Sequence, residues 1–414
     1  MKYRRDNSSS YFGRAFPCIM LGILVITLAP QVHAVKKKKA KQPEAKPETP
    51  EISIDTSKLV WPNPPDIARI RWLAQSKGER VPTIPAGSHK KRQTWMDRVA
   101  GIQHIDEINT PHPHVLVEPY GIAVDSKGNI YVADTYVGAI FVFSPDLDKI
   151  DFIHNGNQAH FEQIIGLAID DDDRLFVSDS HMKCVFVFDA AHHLLKTFGA
   201  DSLGRPSGIA LDMKNRFLYV ADVVKNEVAV FDADSFKRLR TVGSPPATPG
   251  GEDPGTLARP TNVAVSKDGN VYVADTINNR IQIFDAYGDF IGMFGRAGDG
   301  PGHFGRPKGL AVDCDGHIWV VDTTMDRVQV FDREGRLAAY FGIHGTLPGQ
   351  FVLPTGIAID KANRVIVTEQ FKGRVQFFRY VTDEEAAALK SERDKSVSAV
   401  APAKPATTDA PNNP

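Results

Sequence analysis

The chain has few cysteines and almost no net charge, and both scarcities restrict its function. Only three cysteines occur in 414 residues. None has histidine or cysteine partners at the spacing of a metal site or a catalytic motif, so we expect Cys184 and Cys314 to be buried, unpaired thiols. The formal net charge is -1, which gives no electrostatic basis for binding nucleic acid or an anionic membrane. A glycine-rich phosphate loop, a Ser-His-Asp order and a paired-acid motif are also missing.

Apolar runs long enough to span a bilayer are missing as well. The longest apolar run of the chain lies near its start. The segment from Cys18 to Ala29 follows Lys2, Arg4, Arg5 and Arg14 and precedes Val32-His33-Ala34. A dozen apolar residues is short of the roughly 20 that span a bilayer. This order is typical of a secretory signal with a small-residue cleavage site. We therefore predict a signal peptide over residues 1–34 and an extracytoplasmic protein, periplasmic or secreted, with an uncleaved anchor as the alternative.

Both ends of the chain have compositions that cannot form a core. Residues 35–58 are rich in Lys, Pro and Glu and are expected to be a disordered tether, in which Lys36, Lys37, Lys38 and Lys39 could touch an anionic envelope surface. Residues 59–118 are assigned as an N-terminal extension, with one helical turn around Trp95, Met96 and Val99. Residues 381–414 are expected to hold a short helix from Asp383 to about Lys390 and a disordered tail.

Six copies of one pattern of about 24 residues occupy most of the chain. They begin at Gly121, Gly166, Gly208, Asn262, Gly309 and Gly356. Each copy holds three short runs rich in Val, Ile, Phe and Tyr, which turn signals such as Lys127-Gly128-Asn129 separate. A fourth run follows most copies. The spacing of the copies is close to the roughly 40 to 50 residues of propeller blades, so residues 119–380 are predicted to form six four-stranded antiparallel blades.

The fourth copy carries the clearest family resemblance. Arg259 to Asp285 reads RPTNVAVSKDGNVYVADTINNRIQIFD, and this pattern resembles that of the NHL-repeat family of β-propellers. The resemblance implies an all-β, six-bladed propeller; its members include protein-binding, RNA-binding and enzymatic proteins, so it does not settle the function. In such a ring Cys184 and Cys314 lie on opposite sides, too far apart for a disulfide.

The last blade requires a strand from elsewhere in the chain. After Tyr380 the sequence becomes polar and helix-prone, so the sixth copy has no fourth strand of its own. Closed propellers avoid an exposed strand edge by taking a strand from the other terminus. Ala68 to Leu73, reading ARIRWL, is the strand-like run before the repeats, and we predict that it closes blade six.

Each second strand ends in a carboxylate. The six residues are Asp134, Asp179, Asp222, Asp275, Asp322 and Glu369. Because a feature shared by every blade usually maintains the blade, we interpret the six acids as caps or as ion-pair partners within the blade. Arg280, Arg327 and Arg374 stand five residues after three of them and are predicted to pair with them.

Enzymatic propellers of this architecture provide a test for catalysis. Gluconolactonase-like hydrolases and amidating lyases place metal-binding Asp, Asn or His on the turn that enters the first strand. In this chain the corresponding residues are Tyr120, Ile165, Ser207, Thr261, Lys308 and Thr355. None is a carboxylate or an imidazole, so no metal, cofactor or catalytic residue is assigned.

The sequence therefore favours a binding or scaffold protein that presents a loop face to a protein or a small polar ligand. The repeat is most disturbed over blades one and two, and a monomeric chain with a binding surface there is the prediction. The proposed ligand-binding residues are Tyr120, Asp134, Tyr136, His154, His160, Asp179 and His181. A metal-dependent lyase or hydrolase is the first alternative and an RNA-binding domain, which would need a basic face with stacking aromatics, is the second.

Overall fold

A computed structural model describes residues 55–79, 114–156, 159–248 and 251–400. Before the repeats, the chain forms a short 3₁₀ helix, Thr56–Lys58, and four strands. These strands are β1 (Val60–Trp61), β2 (Ile70–Ser76), β3 (Gly78–Glu79) and β4 (His114–Val115). The last two form a separate two-stranded ladder.

The six repeats each form one antiparallel sheet, whose strands follow one another from the inside to the outside of the ring in blades one to five. Blade one is β5 (Pro119–Val124), β6 (Ile130–Asp134), β7 (Ala139–Phe143) and β8 (Ile150–His154); blade two is β9 (Ile164–Ile169), β10 (Leu175–Asp179), β11 (Cys184–Phe188) and β12 (Leu194–Phe198). Blade three is β13 (Pro206–Asp212), β14 (Phe217–Asp222), β15 (Glu227–Asp232) and β16 (Arg238–Val242); blade four is β17 (Pro260–Val265), β18 (Val271–Asp275), β19 (Arg280–Phe284) and β20 (Phe290–Phe294). Blade five is β21 (Pro307–Val312), β22 (Ile318–Asp322), β23 (Arg327–Phe331) and β24 (Leu337–Phe341).

Blade six confirms the predicted closure. Its own strands are β25 (Pro354–Ile359), β26 (Arg364–Glu369) and β27 (Arg374–Tyr380). The N-terminal β2 pairs antiparallel with β27, from Ile70 opposite Tyr380 to Ser76 opposite Val375. The strand lies slightly later than Ala68–Leu73, because its ladder continues to the start of β27. β1 adds a fifth, two-residue strand outside it.

The core consists of layers between neighbouring blades. The second and third strands are buried along their whole length in blade one, and Phe141 of that blade packs with Ile366 and Phe377 of blade six. The inner strands lie side by side around the axis, and β25 returns to β5. Gly356 permits this approach, because a Cβ there would collide with the carbonyl oxygen of Tyr120.

Two expectations from the sequence need correction. The C-terminal helix, α1, runs over Asp383–Val400 and so extends ten residues past the predicted end. Cys184 is buried, but Cys314 is exposed, because it lies in the turn between β21 and β22 rather than in a strand.

Within the ranges given above, no helix is long and apolar enough to cross a membrane. The signal segment, residues 35–54 of the tether, the turn around Trp95 and the tail from residue 401 lie outside the described residues.

Candidate functional site at the mouth of the central channel

The six carboxylates fasten loops on one face of the ring, which we call the upper face. It carries the loops between blades and those between the second and third strands. Asp134 is fully buried and accepts hydrogen bonds from the backbone N–H groups of Val117, Glu118, Tyr136 and Val137, at 2.6 to 3.1 Å. Asp179, Asp222 and Asp322 make the same type of contact in their own blades. These acids are bound to backbone donors, as the interpretation as caps requires.

The predicted arginine pairs form in two of three blades. Arg280 Nε donates to Asp275 at 2.8 Å and Arg374 Nε donates to Glu369 at 2.6 Å. The prediction for Arg327 is wrong, because its guanidinium donates to the carbonyl oxygens of Asp299, Gly300 and His303 instead of to Asp322.

The residues proposed for the binding surface do not form one cluster of direct contacts. Tyr136 stands exposed on its loop with 72% of its surface accessible, whereas Asp134 and Asp179 are buried. His154 is exposed at the end of β8. His160 and His181 both approach Glu162. Tyr120 belongs elsewhere, because it lines the central channel.

The channel runs between the inner strands and encloses about 170 Å³. Its wall is mainly backbone and small or aliphatic side chains, including Gly121, Gly166, Gly208 and Gly356. Such a wall provides few side-chain groups that could bind a ligand specifically or react with it. The polar groups that could select a ligand therefore lie at the upper mouth, where the chain enters the inner strands.

Lys308 and Tyr120 meet at this mouth. The Lys308 Nζ atom lies 5.3 Å from the centroid of the Tyr120 ring, although the two residues belong to blades five and one, on either side of blade six. Burial, with the nearby charge of Arg306, lowers the pKa of Lys308 to about 8. Burial raises the pKa of Tyr120 to about 12, and the charges of Arg306 and Arg205 oppose that rise.

Three arginines extend the positive charge along the mouth. Arg205, Arg259 and Arg306 stand immediately before the prolines that open β13, β17 and β21, and the charges of Arg205 and Arg306 act on Tyr120. Arg205 Nε donates to Ser180 Oγ at 3.2 Å. Among the described residues, none of the three arginines or Lys308 forms an ion pair with a carboxylate. These four cations are thus not neutralised by direct ion pairs, although Glu118 of blade one occupies the position equivalent to that of the arginines.

The arginines before the first strands are a signal in the sequence that would have indicated the mouth of the channel. Arg-Pro precedes the first strand in copies three, four and five, whereas copies one, two and six have Glu118, Gln163 and Leu353 at the position of the arginine. The half-ring of arginines is therefore a departure from sixfold symmetry. A divalent cation, of the kind expected in metal-dependent propellers, does not fit this mouth, because Lys308 and the arginines would repel it and no carboxylate or imidazole enters it from the six strand-entry positions.

A second polar cluster lies on the opposite face and holds helix α1. Ligand-type atoms of Asp315, His317 and Asp383 lie within 4.8 Å of one another. However, Tyr380 donates its hydroxyl to Asp315 at 2.7 Å, and Arg69 contacts Asp383 directly. Protein groups already satisfy these oxygens, so the cluster is a link between blade five, the closing strand and the helix.

We expect His317 to make this link sensitive to pH, because its Nε2 atom lies 3.9 Å from an oxygen of Asp383 at the start of α1. A hydrogen bond to Asp313 raises the pKa of His317, although burial opposes the rise. Because the pKa of this histidine is higher in the folded protein than its value of about 6.5 in the unfolded chain, the protonated imidazole stabilises the folded link. This stabilisation is complete below the unfolded pKa and is lost as pH rises through the folded pKa. We expect amide exchange at the start of α1 to accelerate between pH 6 and 9, after correction for intrinsic exchange. His317→Gln should abolish this dependence, and His193→Gln, at an exposed His-Asp pair, should not. The same slope in wild type and His317→Gln would exclude His317 as the sensor.

The comparisons with known proteins agree with this architecture. The NHL repeat model matches residues 116–143, 161–188, 257–284 and 304–331, which are blades one, two, four and five. A probable peptidyl-alpha-hydroxyglycine alpha-amidating lyase of Caenorhabditis elegans is 34% identical over 105 residues, which are 25% of this chain and 29% of that protein. The chain thus matches less than a third of that relative's length.

One solved structure shows the same fold, and a second is less similar. A Bacteroides thetaiotaomicron protein of unknown function has a TM-score of 0.53 at 18% identity, over 64% of this chain and 70% of its own. A Xanthomonas campestris gluconolactonase has a TM-score of 0.49 at 18% identity, over 64% of this chain and 86% of its own. With six blades in the structure and the repeat matched in four of them, the chain belongs to the NHL-repeat family and is a six-bladed β-propeller.

Proposed function

We propose that the protein is a binding module that takes a small anionic ligand, of the carboxylate or phosphate class, at the upper mouth of the central channel. The observation that carries this proposal is the positive charge of Lys308, Arg205 and Arg306 around Tyr120, with no ion pair to a carboxylate among the described residues. Charges that lack partners in a partly desolvated, concave site favour an anion of opposite charge.

Each group at the mouth has a suitable role. A guanidinium can hold a carboxylate or phosphate through two parallel hydrogen bonds, and Lys308 supplies a point charge. The Tyr120 hydroxyl stays protonated at neutral pH because its pKa is about 12, so it can donate a hydrogen bond to the anion. The narrow channel below leaves room for only a small part of a ligand.

A lyase is the second candidate, and the amidating-lyase relative supports it. A peptide that ends in α-hydroxyglycine has a terminal carboxylate, which the same arginines could hold. Lys308, with a pKa of about 8, is partly unprotonated near neutral pH and could accept the proton of the substrate hydroxyl. The bond between the amide nitrogen and the α-carbon then breaks, the nitrogen takes up a proton to give the peptide amide, and glyoxylate leaves. This candidate uses the same residues, so one set of variants tests both.

The test is calorimetric titration with inorganic phosphate, oxalate and a peptide that ends in α-hydroxyglycine. We expect at least one of these probes to bind, with proton uptake near pH 8, because an anion raises the pKa of Lys308. Lys308→Met should weaken binding by about tenfold or more, equivalent to about 1.4 kcal/mol, and should remove the proton uptake. Lys267→Met, at an exposed lysine in the turn between β17 and β18, is the control.

Two results would decide against the proposal. They are binding that is unchanged in Lys308→Met and failure of all three probes to bind the wild-type protein at low salt. Mass spectrometry of the peptide gives the separate result for the lyase: conversion to the peptide amide by wild type and not by Lys308→Met would favour catalysis over simple binding.

A further inference from the structure

Two histidines and one glutamate meet on the upper face, on the loop from blade one to blade two and on a loop within blade two. His160 and Glu162 lie on the loop between β8 and β9, and His181 lies on the loop between β10 and β11. The Nδ1 atom of His181 contacts Oε2 of Glu162, while Nε2 of His160 lies 3.9 Å from Oε1. The two imidazoles therefore approach different oxygens of one carboxylate.

Buried groups hold the two loops that carry these side chains. Asp179 accepts hydrogen bonds from the backbone N–H of Glu162 at 2.7 Å and from that of His181 at 3.0 Å. Phe161 is 3% exposed, and the Asn155 side chain donates to its carbonyl oxygen at 3.0 Å. The backbone on both sides of the cluster is thus fixed by the fold, although the three side chains themselves face solvent.

The side chains have the composition of a transition-metal site. Imidazole nitrogen together with carboxylate oxygen suits Zn²⁺ and similar divalent cations, whereas Mg²⁺ and Ca²⁺ prefer oxygen ligands alone. Three protein ligands with a water at the fourth position is a common arrangement for zinc. In the part of the chain that the structure describes, Glu162 pairs with these two histidines and with no lysine or arginine.

We propose that His160, Glu162 and His181 bind one divalent transition-metal ion of the Zn²⁺ class. His181 and Glu162 already lie side by side. The His160 side chain is 70% exposed, so it is free to turn about its side-chain bonds and bring its ring nitrogen to the ion. The cluster differs from Asp315, His317 and Asp383, where Arg69 and Tyr380 occupy the carboxylates.

Titration of the metal-free, full-length protein with ZnCl₂ tests this site. We expect one Zn²⁺ to bind, and binding to weaken in acid, because protons compete with the metal ion for imidazole nitrogen. Loss of one ligand, in His160→Ala, His181→Ala or Glu162→Gln, should weaken binding by about tenfold or more. Co²⁺ should give visible absorption bands in the wild-type protein that each variant loses. MgCl₂ should not compete.

His193→Ala is the matched control. His193 is also an exposed imidazole beside a carboxylate, with Nδ1 3.2 Å from Asp189, but it has no second histidine beside that carboxylate. Zn²⁺ affinity that falls equally in the control, or is unchanged in the His160→Ala and His181→Ala variants, would overturn the proposal. Thermal melting shows whether each variant is folded. Lys308→Met should leave Zn²⁺ binding intact, so the test is independent of the proposed anion site.

Discussion

A chain that begins at Lys77 is expected to aggregate or to melt at a much lower temperature than one that begins at Ile52. The shorter chain lacks β2 and therefore exposes the edge of β27 along its whole length. An unpaired strand edge is a template for association with other chains. Differential scanning calorimetry and light scattering of the two chains measure the effect, and equal melting temperatures would contradict it.

A point variant separates the packing of β2 from the mere presence of the segment. Ile70 is 1% exposed and belongs to the core cluster with Trp319, Phe378 and Tyr380. Ile70→Ala should reduce the free energy of unfolding by about 2–5 kcal/mol. Leu73→Ala is the control, because Leu73 is 46% exposed at a bulge in the ladder and should change stability by about 0.5 kcal/mol or less. Equal losses in the two variants would mean that β2 is not anchored through Ile70.

The closing strand was predictable because blade geometry leaves a specific gap to fill. A three-stranded last copy and a single β-prone run near the N-terminus were enough to pair them. The outermost strand, Val60–Trp61, was not predictable, since two residues in a proline-rich segment have no periodicity. Its role is visible only in three dimensions, where Trp61 covers Phe341 and Phe378 at ring distances of 5.5 and 6.0 Å.

The candidate site was less predictable, because a propeller brings together residues that are distant in sequence. Tyr120 was recognised as unusual, but chain order associated it with Tyr136 and the neighbouring histidines. The ring instead directs it to the axis, where it meets Lys308 from blade five. The order of residues in the sequence shows on which face of the ring a loop lies. Whether two residues can contact the same ligand also depends on how far each lies from the axis.

Replacement of Arg374 by methionine is expected to reduce the free energy of unfolding by about 3–5 kcal/mol, because it leaves a buried carboxylate without its partner. Arg374 is 1% exposed. Its guanidinium donates to Glu369 and to the carbonyl oxygens of Thr346 and Gln350, and it reaches Gln75 of the closing strand at 2.8 Å.

Arg336→Met is the matched control for this experiment. Arg336 also pairs with a carboxylate, Asp332, at 2.6 Å, but its side chain is 75% exposed, so its loss should change the free energy of unfolding far less than the loss of Arg374. Urea unfolding of both variants at pH 7 measures the difference. Equal, small losses would show that the buried pair contributes no more than a surface pair.

The pH dependence identifies the cause of the loss. Burial raises the pKa of Glu369, and the hydrogen bond and charge of Arg374 oppose that rise. Without Arg374 the folded-state pKa should rise further above the unfolded value, so the folded state takes up a proton and gains stability as pH falls toward 5. The deficit of Arg374→Met should therefore shrink with acidity, and Glu369→Gln in the same chain should restore stability at pH 7. A deficit that is independent of pH and persists in the double variant would instead assign the loss to the guanidinium bonds to Gln75 and the backbone carbonyls.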